Sequence, residues 1–379
     1  MKTIYLDHSA TGLLLPEVKQ AMCEAMDFYG NPSSLHTPGH LAHNLIEEAR
    51  QTIATLINAR PSEIIFTSGG SESNNMVTNT FAGQPVLVSA IEHPSLLDSA
   101  RTRCDTNVIH VDEDGVVRQS NLEKCYSAAL CSVMLANNEL GTLEPVKDLT
   151  RLAHNNNSFF HTDATQALGK IPINVRDLDI DYMTLSAHKI GGPVGIGALF
   201  VKNLDQKDHP PIKPFIIGGH QEHGLRAGTY QTVNIAGFGA AAKYALDNNT
   251  PELYQENIKP LRDYLATEIF DKIPHSSLNT PLDNSLPNVL NASFAAAEGE
   301  SIQLYLDAED IIVSTGSACA SGDGKPSHVL MATKNDAEVA HSSIRFSLGL
   351  DTTEDDINSI IPHLLRIVNS LQNISTIRT

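Results

Sequence analysis

Asp181-Tyr-Met-Thr-Leu-Ser-Ala-His-Lys189 is the stretch of sequence from which the fold can be predicted. Its apolar, strand-like part ends in polar residues, so Lys189 lies where a strand would pass into a loop. Further upstream, Phe159-Phe-His-Thr-Asp163 ends in the same way with a carboxylate. Strand ends in one α/β sheet face a common crevice, where such folds bind ligands. An amine that forms a Schiff base and an acid for a pyridinium nitrogen are what a pyridoxal 5'-phosphate site requires. Two surface residues at strand ends would give the same pattern.

The composition is typical of a soluble globular enzyme. The 379 residues, with 41% hydrophobic and 18% charged side chains, favour two domains. The net charge of −18 argues against direct nucleic-acid or membrane-surface binding, because phosphates would be repelled. No apolar run is long enough to span a membrane and the first residues are not a signal peptide, so we expect a cytoplasmic protein. The five cysteines contain no CxxC pair, and we predict neither a disulfide framework nor a metal site.

The hydrophobic pattern predicts an α/β architecture. Residues 12–29 and 40–58 carry apolar side chains at helical spacing, and short apolar runs then alternate with helical segments. Such alternation predicts a mainly parallel sheet covered by helices on both faces. The predicted strands are 64–67, 86–89, 108–111, 129–135, 159–162, 182–185 and 195–201. Runs at 288–294 and 311–314, between helices at 252–274 and 353–372, predict a second, smaller sheet.

The segment Thr67-Ser-Gly-Gly-Ser-Glu-Ser-Asn-Asn75 is a candidate phosphate site. It follows a predicted strand and opens a predicted helix, where Gly70 lets the backbone approach an anion and Ser71 adds a hydroxyl. A plain helix cap would also explain the segment. Ser186 and His188, beside Lys189, are further candidate donors to the same phosphate.

Three polar residues follow other predicted strands. His93 could stack on a pyridine ring or move a proton, although a hydrogen-bonded loop histidine would look the same. Asn138 and Gln166 could contact a cofactor oxygen or could be turn residues.

Cys319 and Arg345 are the candidate residues of the C-terminal third. Cys319 lies in Val313-Ser-Thr-Gly-Ser-Ala-Cys-Ala-Ser-Gly-Asp-Gly324, a run of small residues that favours an accessible nucleophile over an inert, packed thiol. Arg345 lies in a strand-like run, where a guanidinium could clamp a carboxylate.

Taken together and in this order, these segments resemble the cysteine desulfurases, a class V aminotransferase group of fold-type I pyridoxal phosphate enzymes. The resemblance implies a large domain (residues 15–250) with a mainly parallel seven-stranded sheet. It also implies a smaller α+β domain (residues 1–14 and 251–379) that carries the catalytic cysteine loop. The matching segments span nearly the whole chain; they are 5–7, 30–34, 66–69, 72–73, 92–93, 137–139, 162–166, 186–189, 226–229, 316–319 and 341–346.

The resemblance also implies a role for each candidate residue. Lys189 would bind pyridoxal phosphate, Asp163 would pair with its ring nitrogen, and His93 would stack on the ring and help proton transfer. Arg345 and Asn138 would hold L-cysteine, and Cys319 would attack its sulfur, leaving alanine and a persulfide. The remaining cofactor contacts implied are Gln166 and Asn138 to the phenolic oxygen, Gly70, Ser71, Ser186 and His188 to the phosphate, and Thr229 from the second subunit of a homodimer.

The sulfur acceptor is left open by the resemblance. In this family the sulfur goes to iron–sulfur scaffolds, to tRNA-thiolation proteins, to thiamin or molybdenum cofactor pathways, or to DNA phosphorothioation proteins. Thr379 follows soon after the last predicted helix. The family's housekeeping enzyme for iron–sulfur assembly has a longer C-terminal tail on which its scaffold protein docks. We therefore favour DNA phosphorothioation as the pathway. The negative net charge favours transfer to an acceptor protein.

Two other interpretations stay open at this point. The first is a selenocysteine lyase or class V aminotransferase that does not use Cys319. The second is a non-catalytic sulfur-carrier or interaction subunit.

Overall fold

Alternating strands and helices fill the computed structural model, which describes residues 3–122, 128–316 and 326–375. The strands are β1 (Ile4–Tyr5), β2 (Ile64–Thr67), β3 (Pro85–Ser89), β4 (Asp105–Ile109), β5 (Leu130–Ser132), β6 (Phe159–Asp163), β7 (Tyr182–Ser186), β8 (Gly197–Val201), β9 (Ser276–Leu278), β10 (Val289–Phe294), β11 (Ile311–Ile312) and β12 (Ser343–Ser347). The helices are α1 (Pro16–Ala25), α2 (Thr37–Leu56), α3 (Gly70–Thr80), α4 (Pro94–Arg103), α5 (Gln119–Leu122), α6 (Val146–Asn155), α7 (Val175–Leu178), α8 (Thr232–Asp247), α9 (Thr250–Leu253), α10 (Lys259–Lys272), α11 (Gly299–Asp307), α12 (His328–Lys334), α13 (Ala337–His341) and α14 (Glu354–Ile374).

The central sheet has seven strands in the order β2-β8-β7-β6-β5-β3-β4. Strand β8 pairs antiparallel with β2 and β7, and the other neighbouring pairs are parallel. Every residue of β7 and β8 is buried, as expected for strands covered on both faces. The predicted seven-stranded, mainly parallel sheet is therefore confirmed. Because its parallel strands end at one edge, the segments after β3, β5, β6 and β7 are brought together there.

A second layer of structure joins the N-terminal strip to the C-terminal third. Strand β1 pairs parallel with β11, and β12, β10 and β9 form an antiparallel sheet in that order. Leu6 packs in the same hydrophobic core as side chains between Tyr254 and Val368. These contacts agree with a small domain built from both ends of the chain, whose boundaries at residues 14/15 and 250/251 stay a prediction.

Two predicted helices differ from those in the structure by four residues or by an interruption, and proline explains the start of one and the interruption of the other. Helix α1 begins at Pro16 instead of residue 12, because Leu15 before the proline is extended (φ −65°, ψ 143°). The helix predicted over 252–274 is α9 and α10 joined by a π-helical turn, Tyr254–Ile258. Pro260, in the first turn of α10, has no N–H to continue the regular ladder. No helix within the described ranges combines the length and apolarity of a membrane span.

Candidate active site

A cavity of about 390 Å³ that is lined mainly by polar residues lies at the carboxyl edge of the central sheet. Its walls come from the segments after β2, β3, β5, β6 and β7, from β12 and from the N-terminal strip. The predicted site residues that line it are Gly70, Ser71, His93, Asn138, Asp163, Gln166, Ser186, His188, Lys189 and Arg345. Side chains from distant parts of the sequence therefore converge on one volume.

Lys189 lies in a short 3₁₀ turn, Ala187–Lys189, directly after β7. Its Nζ donates to the carbonyl oxygens of Ser9 and, at 2.6 Å, Ala10. The backbone N–H of Gly12 in turn donates to the carbonyl of His188 at 2.8 Å. The N-terminal strip thus holds the lysine amine at the cavity wall.

Asp163, the last residue of β6, is a buried carboxylate with a set orientation. Its Oδ2 accepts from Asn74 Nδ2 at 2.8 Å, and its Oδ1 accepts from the backbone N–H of Thr165 at 2.9 Å. The same Asn74 amide nitrogen donates to Ser95 Oγ at 3.0 Å. Asn74 therefore bridges the carboxylate after β6 to the segment after β3.

His93 caps α4, and its hydrogen bonds determine its tautomer. The backbone N–H of Ser95 donates to Nδ1 at 3.1 Å, and Ser95 Oγ lies 2.8 Å from the same nitrogen. A backbone N–H is always a donor, so Nδ1 is an acceptor and the neutral ring carries its proton on Nε2. Burial lowers the pKa of His93, an effect that Asp163 partly offsets. The ring is therefore neutral near pH 7, and in this arrangement Nε2 donates a hydrogen bond instead of accepting a proton.

The start of α3 forms one end of the cavity. Gly70 and Ser71 line it, where the first N–H groups of the helix favour an anion. A Cβ added to Gly70 would lie 3.1 Å from Thr165 Oγ1, so glycine keeps this end open. His188, opposite, has its pKa lowered to about 4 by burial and then by the neighbouring Lys189. It is therefore a neutral hydrogen-bonding group.

Several buried polar atoms around the cavity have no hydrogen-bond partner within the described ranges. They are Ser9 Oγ, Asn74 Oδ1, Thr165 Oγ1 and Gln166 Oε1. Buried polar atoms in proteins are nearly always paired, which indicates that a polar ligand completes this cavity. Pyridoxal phosphate offers a basic ring nitrogen, a phenolic oxygen and a phosphate. An aligned carboxylate, a helix start and a lysine amine in one cavity fit that molecule.

Arg345 enters the cavity from β12 and is almost fully buried. Its Nη2 donates to Asp7 Oδ1 at 2.8 Å, and its Nη1 donates to the carbonyl of Asn138 at 3.0 Å. Its Nε is buried without a hydrogen-bond partner in the part of the chain that the structure describes. The guanidinium is therefore held rigidly beside the predicted substrate contact Asn138.

Two predicted site residues are not among the cavity residues. Thr229 is exposed and does not line the cavity of its own chain. Its segment is fastened nearby, since Arg226 Nε donates to Glu72 Oε1 at 2.9 Å. Cys319 lies outside the described residues. Both assignments stay predictions.

Sequence reasoning missed several residues that build the site. Ser9 and Ala10 contribute carbonyl oxygens, which leave no signal in a sequence. Asn74 follows Gly70 by four residues on α3, so helical periodicity places it on the same face, and this spacing was the available signal. Ser95 lies two residues after His93, a spacing typical of side chain–backbone turns.

Comparison with known proteins relates the whole chain to one group. The model of the family described as aminotransferase class V matches residues 4–360. The cysteine desulfurase IscS of Dictyoglomus turgidum is 43% identical, over 99% of this chain and 96% of that protein.

Solved structures agree with the sequence relatives. A NifS-like protein superposes with a TM-score of 0.89 at 33% identity, over 97% of this chain and 100% of the other. A structure described as SspA in complex with cysteine superposes with a TM-score of 0.79 at 31% identity, over 91% of this chain and 99% of the other.

Proposed function

We propose that this chain transfers the sulfur of L-cysteine to Cys319 and then to an acceptor protein. The chain belongs to the class V aminotransferase family and is a pyridoxal phosphate-dependent cysteine desulfurase. Near-full-length relatives named cysteine desulfurases show that the non-catalytic interpretation of the sequence was wrong. The observation that carries the proposal is the convergence of Lys189, Asp163 and Arg345 on one cavity.

Pyridoxal phosphate, when bound, supplies the electron sink that weakens bonds to the α-carbon of an amino acid. In this chain Lys189 would hold the cofactor, and Asp163 would keep its ring nitrogen protonated. Asn74 and the Thr165 N–H hold that carboxylate in place, so it need not reorganise. The start of α3, with Ser71, Ser186 and His188, would bind the phosphate.

The substrate end of the cavity is the side that contains Arg345. Its guanidinium would bind the carboxylate of L-cysteine, with Asn138 beside it. His93, neutral and protonated on Nε2, would pack against the cofactor ring and donate a hydrogen bond. The sequence predicts that His93 helps proton transfer, and its hydrogen bonds set a condition on that role. His93 can accept a proton at Nε2 only if Nδ1 first gives up the hydrogen bond from the Ser95 N–H.

Both flanks of the segment that contains Cys319 are attached to the cavity wall. Arg345 Nη1 donates to the carbonyl of Gly316 at 3.4 Å, and Ser327 Oγ donates to Glu139 Oε2 at 2.5 Å. The described residues on either side of this segment, Gly316 and Ser327, therefore both contact the cavity wall. The Cys319 thiolate would attack the substrate sulfur; a sulfur–sulfur bond forms, the carbon–sulfur bond breaks, and its electron pair remains on carbon. Protonation of that carbon completes alanine.

The test is to locate the sulfur. We expect L-cysteine to add one sulfur atom to Cys319 of the cofactor-loaded protein, as measured by mass spectrometry of peptides. Lys189→Ala should abolish the addition, and Cys23→Ala should leave it intact, because Cys23 is an exposed thiol outside the cavity. Sulfur on Cys23 or Cys104 in place of Cys319 would contradict the proposal.

The acceptor is inferred to be a protein, with DNA phosphorothioation as the predicted pathway. The net charge of −18 disfavours direct sulfur transfer to a nucleic acid. Labelled persulfide should move to a purified acceptor protein and not to DNA alone. Salt-sensitive DNA binding by the purified enzyme would contradict this inference.

A homodimer is the second part of the proposal. Exposed apolar side chains are concentrated in one N-terminal stretch; they are Leu13, Leu14, Met26, Tyr29, Leu35 and Leu41. Covering them with a second copy would remove this surface from water. The family resemblance implies that Thr229 of that second copy contributes to the phosphate site. Light scattering should report a dimer, and a monomer with full cofactor occupancy would contradict it. We also propose that the protein is located in the cytoplasm, as the sequence predicts.

A further inference from the structure

The helix start that would bind the cofactor phosphate carries a carboxylate in its first turn. Glu72 is the next residue of α3 after Ser71, which lines the cavity of about 390 Å³. The Glu72 side chain is 6% exposed, so water screens its charge poorly. A negative charge in the first turn stabilises the helix itself, but it repels a second anion at the same helix end. The proposed phosphate site therefore lies beside a charge that opposes its ligand.

Glu72 is ionised in the folded protein. Burial acts to raise its pKa, but hydrogen bonds from Arg226 and Ser68 outweigh burial and hold the pKa below its ordinary value. The backbone N–H of Ser68 donates to Glu72 Oε2 at 2.8 Å. A carboxyl group with a lowered pKa carries a full negative charge at pH 7.

One arginine neutralises this carboxylate. Arg226 Nε donates to Glu72 Oε1 at 2.9 Å, and Arg226 Nη2 donates to Oε2 at 3.2 Å, so the pair is bidentate. Across residues 3–122, 128–316 and 326–375, neither side chain forms an ion pair with another charged group. Glu222 borders the same small cavity as Arg226, but it is paired with Arg50 at 2.7 Å. The charge of Arg226 is therefore matched to Glu72.

We propose that Arg226 is a positioning residue that acts through Glu72: it neutralises this carboxylate and thereby lets the start of α3 bind a phosphate dianion. This inference rests on the proposed phosphate site at Gly70 and Ser71, and it deepens that proposal by assigning its charge balance. With the ion pair intact, the N–H groups and the dipole of the helix start act on the phosphate without an opposing charge. Without Arg226, the Glu72 carboxylate would be uncompensated in the same helical turn.

The same ion pair also fastens the segment that leads to Thr229. Arg226 lies three residues before Thr229, and the N–H of Ala227 donates to the carbonyl of Ile216 at 3.2 Å. A purely mechanical role of the pair would act through Thr229 of a second copy, and replacing either partner would weaken phosphate binding. The charge role predicts opposite effects for the two partners, so an experiment can separate the two explanations.

The experiment compares equilibrium binding of pyridoxal phosphate and of pyridoxal, which lacks the phosphate, to the cofactor-free protein. We expect Arg226→Gln to weaken pyridoxal phosphate binding roughly tenfold and pyridoxal binding less than about twofold, because the uncompensated charge acts on the phosphate. Glu72→Gln should bind pyridoxal phosphate at least as tightly as the wild type, because a net positive charge then remains beside the site. A double variant with both substitutions carries neither charge, so its affinity should return to within about threefold of the wild type.

Two control variants separate the charge from other effects. Arg226→Lys keeps a positive charge beside Glu72 and should retain most of the affinity that Arg226→Gln loses. Arg366→Gln removes the arginine of another Arg–Glu pair, formed with Glu309 outside the cavity, and should leave binding unchanged. Urea unfolding of each variant reports any loss of stability.

Inorganic phosphate provides a second readout that does not involve Lys189. Added as a competitor of pyridoxal phosphate, it should compete more weakly in Arg226→Gln than in the wild type. The double variant should recover this competition, because the opposing carboxylate is gone.

The outcomes distinguish this inference from the function on which it rests. A loss in Arg226→Gln that is confined to the phosphorylated ligand and is restored by Glu72→Gln supports the inference. Similar losses in both single variants without recovery in the double variant, or an unchanged affinity in Arg226→Gln, would overturn the inference alone. A wild type that binds pyridoxal phosphate no more tightly than pyridoxal would overturn the proposed phosphate site and this inference with it.

Discussion

Replacing Asn74 by alanine should weaken pyridoxal phosphate binding, because Asn74 joins Asp163 to the segment that contains His93. Its amide donates to Asp163 Oδ2 at 2.8 Å and to Ser95 Oγ at 3.0 Å, and the residue is fully buried. A hydrogen bond to a charged group contributes about 1.5–3 kcal/mol and a neutral one about 1 kcal/mol. Of its hydrogen bonds from the described residues, the carboxylate would keep the one from the Thr165 N–H to Oδ1. If half of that energy serves to orient Asp163, the dissociation constant of the cofactor rises roughly tenfold to thirtyfold.

The assay is equilibrium binding of pyridoxal phosphate to the cofactor-free protein, followed by absorbance. Asn79→Ala is the matched control, since Asn79 is the same residue type on the same helix and does not line the cavity. Urea unfolding of each variant reports any loss of stability separately. A dissociation constant for Asn74→Ala within a factor of two of the Asn79→Ala value would refute the reasoning.

Three further predictions follow from burial and hydrogen bonding. Histidine labelled with ¹⁵N should show the His93 ring neutral at pH 7 with its proton on Nε2, because burial lowers its pKa; a proton on Nδ1 would contradict the assignment. Burial raises the pKa of Glu92 from 4.5 to about 8, so between those values the unfolded state binds fewer protons. The free energy of unfolding should therefore fall as the pH rises from about 5 to 8, and this part of the slope should vanish in Glu92→Gln. Arg345→Lys should raise KM for L-cysteine at least roughly tenfold with bound cofactor unchanged, because an ammonium cannot clamp a carboxylate bidentately; an unchanged KM would place the carboxylate elsewhere.

Five of the seven strands of the central sheet could be predicted to within two residues, because they are short apolar runs that end in polar residues. The prediction misses one end of β4 and of β5 by three residues. Strand β7 was predicted as 182–185 and spans Tyr182–Ser186, and β2 was predicted with its observed bounds. In a parallel sheet this pattern also predicts where the active site lies, because the polar residues just after the strands meet at one edge of the sheet. Lys189, Asp163 and His93 were found in this way.

Other parts of the site depend on contacts that a sequence does not record. The Lys189 amine is held by backbone carbonyls of Ser9 and Ala10, and any residue type supplies a carbonyl. The pairing of Arg226 with Glu72 was overlooked because the two residues lie 154 positions apart, and only the folded chain brings them together. Cys319 is located by its sequence motif, and the structure contributes only the flanks at Gly316 and Ser327.

The most direct test of the central claim is the stoichiometry of products from L-cysteine in the presence of a reductant. The account predicts equal amounts of alanine and sulfide from the cofactor-loaded wild type. It also predicts that Cys319→Ala releases neither product while its cofactor absorbance band remains. Sustained alanine and sulfide release by Cys319→Ala would contradict the account, because it would show a lyase that works without this thiol.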